Sequence, residues 1–98
     1  MKILLVCNAG MSTGIMQMKL EEEAKKHNIE ANIEAVPMSE LDDFLKDTDV
    51  ILLGPQIRFA EKEIKIAAKD IPVIVIAVQD FGMMRADRVF KQVLDCLK

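Results

Sequence analysis

The sequence predicts an α/β fold: an open, doubly wound four-stranded parallel sheet with helices on both faces, a three-layer sandwich. Three observations predict it. Four short apolar runs alternate with stretches of helical periodicity. The runs are continuous rather than polar at every second place, as strands buried on both faces are. The stretches between them are long enough to carry the chain from the end of one strand to the start of a parallel neighbour. At 98 residues the chain is expected to form one domain, 1–98.

The aliphatic run from Lys2 to Cys7 ends in Asn8-Ala9-Gly10 and reads as the first strand. From Thr13 to His27 the period becomes helical, with Met16, Leu20 and Ala24 on one stripe, Glu21, Glu22, Glu23, Lys25 and Lys26 mostly solvated, and Asn28 as the stop. Ala31 to Val36 is the second strand, closed by Pro37. Ser39 followed by Asp42 resembles the start of a short helix that turns Leu41, Phe44 and Leu45 inward. Asp49 to Gly54 is the third strand. Beyond Gly54-Pro55, the residues Ile57, Ala60, Ile64, Ala67 and Ala68 recur at helical spacing until Asp70-Ile71-Pro72 breaks them. Val73 to Val78 is the fourth strand, and Ala86, Val89, Phe90, Val93, Leu94 and Leu97 form the apolar face of the last helix.

Composition removes several classes of function. A net charge of −3 and the lack of Trp and Tyr argue against nucleic-acid binding, which calls for a basic surface. No apolar run approaches the roughly 18 to 20 residues of a membrane span, and the start Met1-Lys2-Ile3 lacks the long apolar stretch of a secretory signal. The chain is therefore expected in the cytoplasm, without membrane insertion. Its two cysteines, Cys7 and Cys96, stand at opposite ends. They form neither a disulfide framework nor a metal-spaced cluster and read as reduced thiols. No metal or cofactor is called for.

In a doubly wound sheet the ligand lies outside the carboxyl ends of the strands, where the winding reverses. Cys7 stands at the end of the first strand, and the loop Cys7-Asn8-Ala9-Gly10-Met11-Ser12-Thr13-Gly14 joins it to the first helix. Two glycines and two hydroxyls let backbone N–H groups close around an anion, and a helix N-terminus adds positive field. Such donors stabilise a thiolate as well as a phosphate. The magnitude matters: an ordinary thiol, pKa about 8.5, is only about 3% ionised at pH 7, and a shift of about two units, worth roughly 2.7 kcal/mol, makes most of it nucleophilic.

Other anion loops fail on spelling. A nucleoside-triphosphate loop ends in Gly-Lys-Ser/Thr, whereas Ile15 follows Gly14 and the Gly10 to Gly14 interval is too short. The dinucleotide fingerprint fails at Ser12, where its second glycine belongs. The low-molecular-weight tyrosine phosphatases are similar in architecture and in the position of the cysteine, but Thr13 stands where their Arg does. That Arg binds the phosphate bidentately and stabilises its oxygens during attack and hydrolysis, so its loss favours a carrier over a phosphatase. A small cysteine-based phosphatase or arsenate reductase is the alternative.

These residues resemble a known family, the IIB components of the lactose, cellobiose and chitobiose class of sugar phosphotransferase systems. The likeness is carried by Cys7 with Ala9-Gly10-Met11-Ser12-Thr13, by Leu53-Gly54-Pro55-Gln56-Ile57-Arg58-Phe59 and by Asp80-Phe81-Gly82-Met83-Met84, one segment after each of three strands. It implies a phosphoryl relay. A phosphohistidine on a IIA protein passes its phosphoryl group to Cys7, which passes it to a sugar, a β-linked disaccharide such as cellobiose, chitobiose or lactose, held by the membrane component IIC. It further implies that Asn8, Ala9, Gly10, Met11, Ser12, Thr13 and Gly14 wrap the phosphate. Gln56, Arg58, Phe59, Phe81 and Met83 would lie at the docking face of a carrier that works as a monomer, peripherally associated with the transporter. The sequence departs from the family at Gly14, where Ser is common, at Phe81, often Tyr, and at Arg85-Ala86, often Asn-Gly or Asp-Gly.

The remaining reactive residues have plainer readings. Cys96 lies beside the apolar stripe of the last helix and is read as packing or a surface thiol. His27, the only histidine, ends a charged helix and reads as a solvated side chain or a helix C-terminal cation, which fits a mechanism whose donor histidine arrives on another protein. Met11, Met83 and Met84 suit either a transient surface or core filling. Arg85 and Arg88 read as ordinary surface arginines.

Overall fold

The computed structural model describes residues 1–7 and 11–97, with residues 11 and 12 described by their backbone alone. β1 (Lys2–Val6), β2 (Asn32–Val36), β3 (Val50–Leu53) and β4 (Val73–Val75) form one sheet in the order β2-β1-β3-β4, every neighbouring pair parallel. Around it lie α1 (Met11–Lys26), α2 (Glu61–Ala68), α3 (Val78–Gly82) and α4 (Ala86–Cys96), with 3-10 helices at Met38–Phe44 and Pro55–Ala60. None of the helices described is long and apolar enough to cross a membrane.

The unbroken apolar spelling of β1 has a direct cause. Ile3 and Leu5 enter one core cluster with Met16 and Leu20 of α1 and Val89, Phe90 and Val93 of α4. Leu4 and Val6 enter the other, with Leu41, Ile57, Ile64 and Ala68. Successive side chains of a strand point to opposite faces, so a strand covered on both sides has no place for a polar residue. All four side chains are fully buried, each contributing roughly 1.5–3 kcal/mol. Val50 and Leu52 of β3 divide from Ile51 and Leu53 in the same way.

From β1 the chain passes through α1 to β2 on one side; from β3 it passes through Pro55–Ala60 and α2 to β4 on the other. The winding therefore reverses between β1 and β3. Val6 is level with both Val36 and Leu53, and Leu53 with Val75, so the strands finish at one height. Cys7 and Gly54 emerge side by side at the reversal.

Local boundaries differ from expectation in four places. α1 begins at Met11, two residues before Thr13, which puts Thr13 in its first turn. Ser39 does not cap: the 3-10 helix already includes Met38, with Pro37 in the capping position and no side-chain cap, although Leu41 is buried as expected. The stripe from Ile57 to Ala68 divides because Ile57 has φ −118° and ψ 24°, which separates the 3-10 turn from α2. β4 stops at Val75, and Val78 instead begins α3, with Ala77 extended in front of it.

Candidate functional site

Cys7 continues the β1 ladder by one bond, its N–H donating to Val36 O at 3.3 Å. Its side chain is nearly covered, and its Sγ is hydrogen-bonded to Thr13 Oγ1, itself buried. This contact follows from the early start of α1: a helix that begins at Met11 carries Thr13 in the turn facing the strand end it has just left. The first N–H groups of a helix have no intrahelical acceptor and carry the positive end of its dipole. α1 has 16 residues, no acidic residue in its first turn, and Lys25 and Lys26 in its last. No carboxylate of that turn competes for an anion beside Cys7.

The other wall of the crevice is Gly54, whose N–H donates to Val6 O at 2.9 Å. Its φ of −62° and ψ of 147° are open to any residue, so its conformation does not demand glycine. Space does. A Cβ there would lie 3.0 Å from Cys7 Cβ and 2.7 Å from Gln56 Oε1. Gly14 is the opposite case, since an added Cβ would meet nothing within 4 Å among the described residues.

Among the other expected site residues, Asn8, Ala9 and Gly10 lie outside the described residues, as do the side chains of Met11 and Ser12. Gln56, Arg58 and Phe59 are exposed on the 3-10 turn after Gly54. With Pro55 and Val78 they line a shallow depression of about 380 Å³. Phe59 is 74% exposed and Val78 60%, which gives the depression an apolar rim; Met83, 71% exposed, is not among its lining residues. Phe81 is not part of the rim either. Expected at a docking face, it is 4% exposed and packs in the cluster of α1 and α4, where it holds α3 against the sheet. Val78 was hidden from sequence reasoning because the run Val73 to Val78 reads as one strand.

Asp80, buried after β4, faces Arg88 Nη1 at 3.7 Å, and its carbonyl accepts the Arg85 N–H at 2.8 Å. Arg85 in turn forks onto Asp87 at 2.9 and 3.1 Å. That hydrogen bond holds the Asp87 carboxyl down at about 2. Of the three arginines, Arg58 alone has no ion pair among the described residues. A second hollow, about 240 Å³, is lined by Lys19, Glu22, Glu23, Lys26, Met84, Ala86 and Asp87. It carries no thiol or hydroxyl, and its Lys26 is bonded to Glu23 at 3.1 Å. His27 is exposed, with its ring 5.4 Å from that of Phe90. It lies just beyond the end of α1, which at 1.5 Å per residue is about 24 Å long. Cys96 is an exposed free thiol.

Comparisons with known proteins bear on the family and the fold. The family described as PTS system, Lactose/Cellobiose specific IIB subunit, matches residues 2–92. The galactose-specific EIIB component of Lactococcus lactis subsp. cremoris is 38% identical over 94 residues, covering 89% of this chain and 87% of that protein. The cellobiose-specific EIIB component of Lactococcus lactis subsp. lactis matches with the same identity and coverage. The solution structure of the cellobiose-specific IIB component from Borrelia burgdorferi superposes with a TM-score of 0.80 at 38% identity, covering 99% of this chain and 91% of that one.

Proposed function

The chain belongs to the lactose/cellobiose-specific IIB family of the sugar phosphotransferase system, a family of phosphotransferases, and we propose that Cys7 is its phosphoryl carrier. A IIA phosphohistidine donates: the P–N bond breaks, a P–S bond forms at Cys7, and the thiol proton ends on the departing imidazole. In the second transfer the P–S bond breaks, a P–O bond forms on a sugar hydroxyl, and the hydroxyl proton returns to sulfur. The observation that carries this reading is the Cys7 Sγ–Thr13 Oγ1 hydrogen bond in the acid-free first turn of α1, at the point where the sheet reverses. A hydroxyl can donate to a thiolate or to a phosphoryl oxygen from the same place. The donor histidine comes from outside, since His27 sits at the far end of α1.

The loop from Asn8 to Gly14 supplies the amides around the phosphate. Docking of IIA, and then of the membrane-embedded IIC, uses the exposed side chains of Gln56, Arg58, Phe59 and Met83; aromatic residues, Met and Arg are enriched at interfaces. The chain acts as a cytoplasmic monomer that meets the transporter from its inner face, with a β-linked disaccharide such as cellobiose, chitobiose or lactose as acceptor. Relatives named for galactose and for cellobiose are equally similar to it, in keeping with a sugar chosen by IIC rather than by this domain. The phosphatase alternative has little support, because Thr13 takes the place of the phosphate-binding arginine. The test is sugar phosphorylation in membranes carrying IIC, with phosphoenolpyruvate, the general relay proteins and IIA. Wild type is expected to support it and Cys7→Ser to abolish it; full activity in Cys7→Ser refutes the proposal.

A further inference from the structure

The Gln56 side chain does not run out along its turn. Its Oε1 lies 2.7 Å from where a Gly54 Cβ would stand, and Cys7 Cβ lies 3.0 Å from the same point. The carboxamide is thus folded back over Gly54 to the side of Cys7, and it fits only because residue 54 has no side chain. The Ile57 N–H to Gly54 O bond, 3.1 Å, closes the turn that aims it there. Gln56 is exposed, and its amide has no hydrogen-bond partner among the described residues. Thr13 and the first turn of α1 bound the sulfur from the β1 side. Gln56 bounds it from the β3 side. The Oε1 that faces Gly54 accepts; turning the carboxamide about its last bond brings Nε2 to the same place, so that a group attached to Sγ at this reversal meets the Thr13 hydroxyl on one wall and an amide donor on the other.

Resting on the reading of Cys7 as phosphoryl carrier, we propose that Gln56 is a phosphoryl-binding residue: its Nε2 donates to an oxygen of the group carried on Cys7 Sγ. No bond to Gln56 forms or breaks. A neutral carboxamide gives a hydrogen bond to a dianionic group without adding positive charge. It holds the phosphocysteine in one orientation for the incoming hydroxyl, whereas a guanidinium fork would also stabilise the charge that develops during hydrolysis. This role differs from docking, because it persists when no partner is bound.

The experiment exploits that difference. Wild type, Gln56→Ala and Gln56→Glu are loaded through IIA, separated from it, and titrated by 31P NMR, with circular dichroism to verify the fold. In both variants the phosphocysteine resonance is expected to shift and its titration midpoint to rise. The rise is larger for Gln56→Glu, which keeps the shape, loses the donor and adds a like charge. Loading should slow by about 10- to 100-fold, as for loss of a hydrogen bond to a charged group. If all three proteins load and share one resonance and one titration curve, the inference is wrong even if loading is slower, since slower loading alone reports docking. If wild type itself forms no phosphocysteine, the carrier reading falls and this falls with it.

Discussion

Replacing Gly54 by Ala tests how far the site depends on clearance at the end of β3. The added methyl group would stand 3.0 Å from Cys7 Cβ, 2.7 Å from Gln56 Oε1 and 3.7 Å from Val6 O. The last of these is an ordinary contact. Gln56 is an exposed, flexible chain and can swing away at little cost. Cys7 cannot: carbon atoms pack at about 3.5–4.0 Å, and its backbone is bonded to β2 while Val6 before it is bonded to β3. The Cys7 side chain must therefore give by about half an ångström or more. Overpacking of this kind costs about 1–3 kcal/mol. Against it, Ala reduces the entropy of the unfolded chain by about 0.4–1 kcal/mol, since the native φ and ψ of Gly54 suit it. The net loss is about 1 kcal/mol in urea unfolding. The functional loss is larger, because misplacing a reacting atom by about 1 Å lowers a rate by about a hundredfold, and Gln56 is displaced as well. Rates of phosphoryl gain by intact mass, set beside unfolding midpoints, give both numbers. A Gly54→Ala protein that loads at the wild-type rate refutes the reasoning.

Thr13→Val keeps the shape of the side chain but removes the hydroxyl bonded to Cys7 Sγ; loading should fall by about tenfold or more while Thr13→Ser retains most of it, as measured by the same mass assay. Lys69→Gly should raise stability by about 1 kcal/mol, read from the urea midpoint. Lys69 has φ 57° and ψ −109° in a turn closed by the Ile71 N–H to Ala68 O bond at 3.1 Å, a conformation that glycine adopts without strain. Asp87→Asn should flatten part of the acid limb of a stability–pH curve. The Asp87 carboxyl is lowered from its ordinary value to about 2 chiefly by the Arg85 hydrogen bond. Its contribution is thus complete above the unfolded pKa and is lost as pH falls through about 2. The effect is small for so exposed a pair, and thermal melts in that acid window measure it.

The sheet was legible because a strand covered on both faces leaves an unbroken apolar run, and β1 and β3 have one. The place of Cys7 just beyond β1, at the reversal of the sheet, was legible because an apolar run ends there in a cysteine followed by a glycine-rich stretch. The 3-10 turn after Gly54 and the five-residue α3 were not. Each is too short to display a period, and Val78 continues the spelling of β4 while turning away from it. Gly54 reads in the sequence as a turn glycine, yet its φ is ordinary and its role is clearance for Cys7 and Gln56, which only the pairing of β1 with β3 makes visible. Phe81 and Phe59 show the same limit from two sides. Both are phenylalanines beside strand ends, and one is buried among α1 and α4 while the other stands in solvent. The difference comes from which element packs above them.

The most direct test is peptide mapping of the loaded protein. After incubation with phosphoenolpyruvate, the relay proteins and IIA, the chain should gain one phosphoryl group on the peptide that contains Cys7, stable in acid and released by iodine. A phosphate found at His27, or elsewhere with Cys7 unmodified, would contradict the account.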